Sequence, residues 1–174
     1  MEMTPIPGTM TRKVLPASTA LATGLLAAGF GLHDTWNRAL LVLTAGALWL
    51  VGQRLGWRWA ASTALIFFAL MAVLGIWLAV PGEWLLLGWV AALSAWELEH
   101  LARGMADAGY VEDAPDLERR HLRRLLIVDG LAVLLGGLAL RVKVEIGFGA
   151  AFVLALLAVF GLSQAIRFLR REGD

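Results

Sequence analysis

Residues Trp59 to Val80 read WAASTALIFFALMAVLGIWLAV, a run of 22 residues without a charged side chain. An α-helix needs about 20 mainly apolar residues to cross the hydrocarbon core of a bilayer. The whole chain has a matching composition, with 59% hydrophobic and 17% charged residues among 174, whereas ordinary soluble domains have about 25% charged residues. The sequence therefore predicts an all-α, polytopic integral membrane protein that folds as a helical bundle.

Two other uncharged runs are also long enough to cross a bilayer. They cover 19 residues at 14–32 and 21 residues at 146–166, and we expect the second helix to continue to residue 168. The first run has the basic start and alanine-rich end of a signal peptide. Its length and the sequence Phe30-Gly31-Leu32-His33 at its end favour a retained helix instead.

Three weaker spans are predicted at 38–53, 84–101 and 122–140, because the basic residues then divide unequally between the two sides. Lysine and arginine concentrate in cytoplasmic loops, and with six spans and both termini inside, twelve of the 15 basic residues are cytoplasmic. Residues 1–13 would form a cytoplasmic arm, 102–121 a cytoplasmic loop and 171–174 a tail, around one transmembrane domain at 14–170. We expect the plasma or inner membrane of a prokaryote.

Small residues spaced four apart predict where the helices approach one another, since helix association in lipid depends on close packing. One stripe is Ala20, Gly24 and Ala28 in the first span. The fourth span carries another stripe, consisting of Gly88, Ala91, Ala92 and Ala95. The even-numbered spans share an aromatic residue followed four positions later by a polar one, as in Trp49-x3-Gln53, Trp96-x3-His100 and Phe160-x3-Gln164. Interface chemistry alone would produce that pattern.

Asp129 is the most informative ionisable residue within a predicted span. It lies five residues beyond Arg124, about 7 Å deeper along a helix, where an unpaired charge costs a few kcal/mol. Its helical face also carries Ala132 and Gly136, so the carboxylate should point into the bundle. Glu99 likewise continues the small-residue stripe of the fourth span. These two acids, with Arg103, His100 and Arg124 nearby, are the predicted binding residues of a polar pocket that opens to the cytoplasm.

Two Glu-x2-His pairs, Glu97 with His100 and Glu118 with His121, have the spacing of di-iron sites in four-helix bundles. Residues three apart project from one helix face toward a shared metal. The other acids needed for such a site fall on the opposite side of the membrane, and arginines surround Glu118 and His121. We therefore expect an interfacial network of ion pairs rather than a metal site, and we predict no cofactor.

The sequence is compatible with three classes of function. The first is a bundle that binds or transports a small ligand, a lipid or a proton through the cytoplasmic pocket. The second is a non-catalytic membrane subunit or assembly protein, and the third is an enzyme that uses Glu99, His100 and Asp129 on a lipid-borne substrate. Expected partners are the bilayer, anionic head groups at the basic loop, and a membrane protein or second copy. Nucleic acid is not expected, since acids in the same segment offset the arginines.

Overall fold

A computed structural model describes residues 9–108 and 114–141, and these residues form five α-helices and no strand. The helices are α1 (Thr9–Leu32), α2 (Trp36–Leu55), α3 (Ala60–Trp77), α4 (Gly82–Ala108) and α5 (Ala114–Arg141). The prediction of an all-helical chain is confirmed for this part. The predicted sixth span, 146–168, lies outside the described residues, as does the tail at 171–174.

Three of the helices are long and apolar enough to cross a membrane, namely Val14–Leu32 within α1, the whole of α2 and the whole of α3. A membrane location is therefore supported for the chain. The other two helices, α4 and α5, form where spans were predicted, but both carry charged residues along their lengths. A count of six spans remains a prediction.

The helices differ from the predicted spans at most of their ends, and α2, α4 and α5 all extend beyond them. Helix α1 begins at Thr9, five residues before the start of the first predicted span at 14–32. Helix α3 ends at Trp77, three residues before the predicted end at Val80. The chain leaves the helix at Ala79, which has a φ of 57°, and Pro81 keeps Val80 out of helical backbone, so the helix does not resume.

Consecutive helices run in opposite directions, so their ends meet in two groups. Arg58 in the α2–α3 turn lies 3.3 Å from Asp107 near the end of α4. Thr11 near the start of α1 donates hydrogen bonds from its backbone and hydroxyl to Glu118 near the start of α5. We call this the basic end, because it carries most of the arginines of the described helices. They are Arg54, Arg58, Arg103, Arg119, Arg120, Arg123 and Arg124.

Helix α4 occupies the centre and packs closely on α1. An added Cβ at Gly29 would lie 2.9 Å from Trp84 Cβ, and one at Gly88 would lie 2.5 Å from Leu26 Cγ. The α4 stripe is buried as predicted. The α1 stripe is not at a contact between the described helices, since Ala20 and Gly24 are exposed. Helix α1 uses a neighbouring face that contains Ala22, Leu26 and Phe30.

Large apolar side chains cover the outside of α2, α3 and α5. Exposed fractions reach 63% for Ile66, 75% for Leu126 and 64% for Leu134. Tryptophans are exposed near both ends of the bundle, including Trp77 at 88% and Trp59 at 60%. Tryptophan is enriched at the two interfaces of a membrane, where its ring and its N–H both find suitable surroundings. This distribution agrees with helices surrounded by lipid.

Candidate functional site

Glu99 is the centre of a buried polar cluster between α2 and α4. Its side chain accepts hydrogen bonds from Trp49 Nε1 at 2.7 Å and from Gln53 Nε2 at 3.3 Å. Arg103, one turn further along α4, forms an ion pair with the other carboxylate oxygen. Only 5% of Glu99 is exposed. A buried carboxylate requires such partners, because an uncompensated charge in a low-dielectric interior is very costly.

The position of Glu99 follows from helical periodicity. Residues three and four apart lie on one face of a helix, so Glu99 continues the buried surface of Ala92 and Ala95. Trp49 and Gln53 are also four residues apart and lie on the facing side of α2. The Trp49 ring packs edge-on against Phe68 of α3, with ring centroids 5.7 Å apart. The apolar core thus holds the indole N–H in place for Glu99.

A cavity of about 480 Å³, here named the Glu99 pocket, opens beside this cluster at the basic end. Arg103 Nη1 donates to the backbone oxygen of Arg58 at 2.6 Å, which connects α4 to the α2–α3 turn. The pocket therefore contains the buried pair Glu99–Arg103 and the exposed pair Arg58–Asp107. Its other lining residues are Leu15, Gln53, Gly56, Trp57, Ala102, Met105 and Ala106.

Asp129 lies in a second cavity of about 320 Å³ between α4 and α5, here named the Asp129 pocket. Ser94 Oγ of α4 donates to Asp129 Oδ2 at 2.5 Å and lies 2.9 Å from the backbone oxygen of Val90. Because a hydroxyl has one proton, Ser94 must share it between these two acceptors. Arg124 lines the same cavity. Asp129 therefore points toward α4, as its helical face indicated.

The two acids of the predicted cytoplasmic pocket are not brought together. Glu99 faces α2, whereas Asp129 contacts Ser94, five residues before Glu99 on another face of α4. His100 is exposed and packs against Trp96 with ring centroids 4.1 Å apart and an angle of 43° between the rings. The convergence of Glu99, His100 and Asp129 that the enzyme hypothesis requires is therefore not present.

The four residues of the two Glu-x2-His pairs do not form one cluster. Glu97 Oε2 lies 3.9 Å from His121 Nε2, which is a buried nitrogen without a hydrogen-bond partner in the described part. Glu118 instead bonds Thr11, and His100 contacts Trp96. Within residues 9–108 and 114–141, no three histidines, cysteines or acids come together as metal ligands.

Sequence reasoning missed Trp49, Gln53, Arg58 and Asp107 as members of the site. A signal for the first two was present in the Trp49-x3-Gln53 pattern, because both of these side chains bond Glu99. In the equivalent Trp96-x3-His100 pair the two rings contact each other within α4, and the Trp96 indole donates to Ser62 and not to a buried carboxylate. The spacing of an aromatic and a polar residue therefore does not by itself identify a binding site for a carboxylate. An acid must also lie on the facing helix.

Comparison with known protein families, with characterised proteins and with solved structures gives no match. The fold therefore identifies only a broad class of protein. It is a helical bundle with three apolar helices, compatible with a membrane protein.

Removing the Ser94 hydroxyl is expected to weaken the contact between α4 and α5. Ser94→Ala leaves Asp129 without its described donor, so we expect a loss of about 1–2 kcal/mol in the free energy of unfolding. Asp129→Asn should change it by less than about 0.5 kcal/mol, because the amide can donate to Ser94 Oγ while Ser94 donates to Val90. Chemical denaturation of the full-length protein in detergent measures both values. A Ser94→Ala variant as stable as Asp129→Asn would contradict this role for the hydroxyl.

Proposed function

We propose that this chain is a six-span membrane protein, with both termini in the cytoplasm, that binds a small zwitterionic ligand in the Glu99 pocket. The observation that carries the proposal is the buried Glu99–Arg103 pair lining a cavity of about 480 Å³ at the basic end. Transport of the ligand is a further step of the same hypothesis. The prokaryotic membrane expected from the sequence stays a prediction.

The orientation is supported by where the charges lie. The α2–α3 turn and the C-terminal part of α4 meet at the basic end through Arg58 and Asp107. Arginine and lysine concentrate on the cytoplasmic side of membrane proteins, so the basic end is assigned to the cytoplasm. The Glu99 pocket then opens toward cytoplasmic solutes.

The zwitterionic ligand is inferred from the charges that line the pocket. The exposed pair Arg58–Asp107 offers one positive and one negative group to a ligand, and the buried pair Glu99–Arg103 places one of each sign in the wall. A ligand with a single charge would meet a repulsive group as well as an attractive one, whereas a zwitterion can match both signs. Trp57 also lines the cavity, and an indole face attracts a quaternary ammonium group.

The two ion pairs have different roles in this proposal. The Arg58 and Asp107 side chains are 79% and 64% exposed, and exposed pairs contribute at most about 1 kcal/mol. This pair can therefore open at little cost, so that Asp107 contacts the cationic group and Arg58 the anionic group. Glu99–Arg103 is buried and bonded on several sides, so it forms the fixed wall of the pocket.

A thermal-unfolding comparison of phosphocholine, choline and inorganic phosphate tests the proposal on the full-length protein in detergent. We expect millimolar phosphocholine to raise the melting temperature, and choline or phosphate alone to have a smaller effect. Saturation to about 100 times the dissociation constant adds roughly 2.7 kcal/mol, which for a chain of this size is about 5–10 °C.

Arg58→Gln and Asp107→Asn should each abolish most of the phosphocholine effect, with little change in the stability of the unliganded protein. The matched variants Arg38→Gln and Asp34→Asn, at the other end of the bundle, should respond as the wild type does. Equal responses to the three compounds, or responses that survive at Arg58 and Asp107, would contradict the proposed site.

A second candidate is a non-catalytic membrane subunit, favoured by the exposed apolar surface of α5. Leu131, Leu135 and Leu138 are 54–60% exposed in the described bundle. Helix α5 packs mainly on α4, so it has room to contact another membrane protein. In that case none of the three compounds would stabilise the protein, and a partner would co-purify with it.

A further inference from the structure

The Asp129 pocket between α4 and α5 is separate from the proposed ligand site and has polar groups at two places. Its volume of about 320 Å³ is at the lower end of the range for ligand-binding pockets, which is about 300–1,000 Å³. On the α5 side, the apolar residues Leu125 and Val128 lie between the polar residues His121 and Asp129. A molecule that fills this cavity is therefore small, with an apolar body and a polar group at each end.

Asp129 is the polar group farther from the basic end. Its carboxylate accepts one described hydrogen bond, from Ser94 Oγ at 2.5 Å, and within residues 9–108 and 114–141 no basic side chain lies within ion-pair distance of it. Arg124 also lines the cavity, but its position is about 7 Å nearer the basic end along the helix. A carboxylate among apolar groups is stabilised by a cation that donates hydrogen bonds, so this end of the cavity suits an ammonium group.

His121 and Glu97 form the polar group nearer the basic end. His121 Nε2 is buried and has no hydrogen-bond partner among the described residues, and it lies 3.9 Å from Glu97 Oε2. That distance is too long for a direct hydrogen bond, which spans about 3 Å. One hydroxyl oxygen can lie within hydrogen-bond distance of both atoms, because it can accept from Nε2–H and donate to the carboxylate. This end of the cavity therefore suits a hydroxyl group.

The separation of the two polar groups sets the length of the ligand. His121 and Asp129 are eight residues apart on α5, which corresponds to about 12 Å along a helix. A hydrogen bond of about 3 Å at each end leaves roughly 6 Å between the two polar groups of the ligand. One aromatic ring with a short side chain covers a span of this order.

We infer that the Asp129 pocket binds a small amphipathic amine that carries a hydroxyl group at its far end. The ammonium group binds Asp129, the hydroxyl group bridges His121 and Glu97, and the apolar body fills the space between them. The cavity shares no lining residue with the Glu99 pocket. This site is therefore independent of the zwitterionic ligand proposed there.

Equilibrium dialysis of the full-length protein in detergent tests the inference with three compounds of similar size. Tyramine carries both polar groups, phenethylamine lacks the hydroxyl group, and para-hydroxyphenylpropionate has a carboxylate in place of the amine. Micelles without protein measure how much of each compound enters the detergent. We expect tyramine to bind about tenfold more tightly than phenethylamine, because it adds a hydrogen bond to a charged group. The propionate should not bind measurably.

Two substitutions separate the two ends of the cavity. Asp129→Asn should weaken the binding of both amines by about tenfold or more, because the amide has no charge to match the ammonium group. Asp116→Asn, which is exposed on the same helix and outside the cavity, is the matched control. His121→Phe should remove the advantage of tyramine over phenethylamine, whereas His33→Phe at the other end of the bundle should not. The His121 side chain is 32% exposed, so this variant should fold.

The inference would be overturned if millimolar tyramine showed no saturable binding, if the three compounds bound equally, or if Asp129→Asn left the affinity for tyramine unchanged. Equal affinities of the wild type for tyramine and phenethylamine would also overturn it, because no ligand hydroxyl would then join His121 to Glu97. Millimolar phosphocholine should not displace tyramine. Displacement would place tyramine in the Glu99 pocket and contradict a separate site.

Discussion

Replacing Glu99 with leucine is expected to lower the free energy of unfolding by about 3 kcal/mol or more. Removing one partner of a buried ion pair typically costs about 3–5 kcal/mol, because the other partner remains as an unpaired charge. Here the substitution leaves the Trp49 indole N–H and the Arg103 guanidinium without their carboxylate. The cost should fall near the lower limit, since Arg103 keeps its bond to the backbone oxygen of Arg58 and its side chain is 27% exposed.

Glu97→Leu provides a closely matched control, because it makes the same chemical change two residues earlier on α4. The Glu97 side chain is 51% exposed, and its nearest basic group is His121 at 3.9 Å. We expect a change within about 0.5 kcal/mol. Glu99→Gln should be intermediate, at about 1–2 kcal/mol, since the amide oxygen can still accept from Trp49.

Chemical denaturation of the three full-length variants in one detergent measures these differences. Equal stability of Glu97→Leu and Glu99→Leu would show that the buried cluster does not stabilise the bundle. A Glu99→Gln variant that matches Glu99→Leu would show that the charge, and not the hydrogen bond from Trp49, supplies the stabilisation.

The burial of Glu99 and its proximity to Arg103 were predictable from α4 alone, whereas its partners on α2 were not. A 3.6-residue period assigns Glu99 to the face of Ala92 and Ala95, and that face is buried. Which helix covers the face depends on how α2 and α4 pack. The sequence of α4 contains no information about Trp49, 50 residues away along the chain.

The positions of the helices along the chain were also predictable, since length and charge decide them, but the helix ends depended on local backbone chemistry. Helix α2 ends at Leu55 and is capped by Gly56, which has a φ of 70°, a backbone conformation that glycine adopts without the strain of a Cβ atom. Helix α3 ends at Trp77, just before the left-handed backbone of Ala79. Helix α5 begins at Ala114, eight residues before the predicted span at 122–140, and Pro115 suits the first turn of a helix.

Small-residue stripes predicted the packing of α4 correctly and that of α1 incorrectly for the described helices. Gly24 has no atom from another part of the structure within 4 Å of an added Cβ, whereas Gly46 of α2 lies directly against Thr23 of α1. The spacing of small residues identifies faces able to approach another helix. Which of these faces is used depends on the shape of the partner helix. Here Thr23 fits only against a residue without a side chain.

Gly46→Ala is therefore expected to destabilise the bundle by about 2–3 kcal/mol, as overpacking of a tight contact does. The added Cβ would overlap Thr23 Oγ1 and Cγ2, and it would lie 2.8 Å from Thr23 Cβ. Rotation of the threonine cannot remove the last contact, because Cβ is fixed to the backbone. Helices α1 and α2 must then separate, although alanine has the higher intrinsic helix propensity by about 1 kcal/mol.

Gly24→Ala is the matched control, since it adds the same methyl group to a helix at a glycine with open space around it. We expect it to be neutral or slightly stabilising. Thr23→Gly in the Gly46→Ala background should recover part of the loss, because it removes the atoms that collide, and a double-mutant cycle measures that coupling. Equal melting temperatures for Gly24→Ala and Gly46→Ala would contradict the close approach of α1 and α2 at this position. A loss at Gly46 that Thr23→Gly does not relieve would assign the effect to another contact.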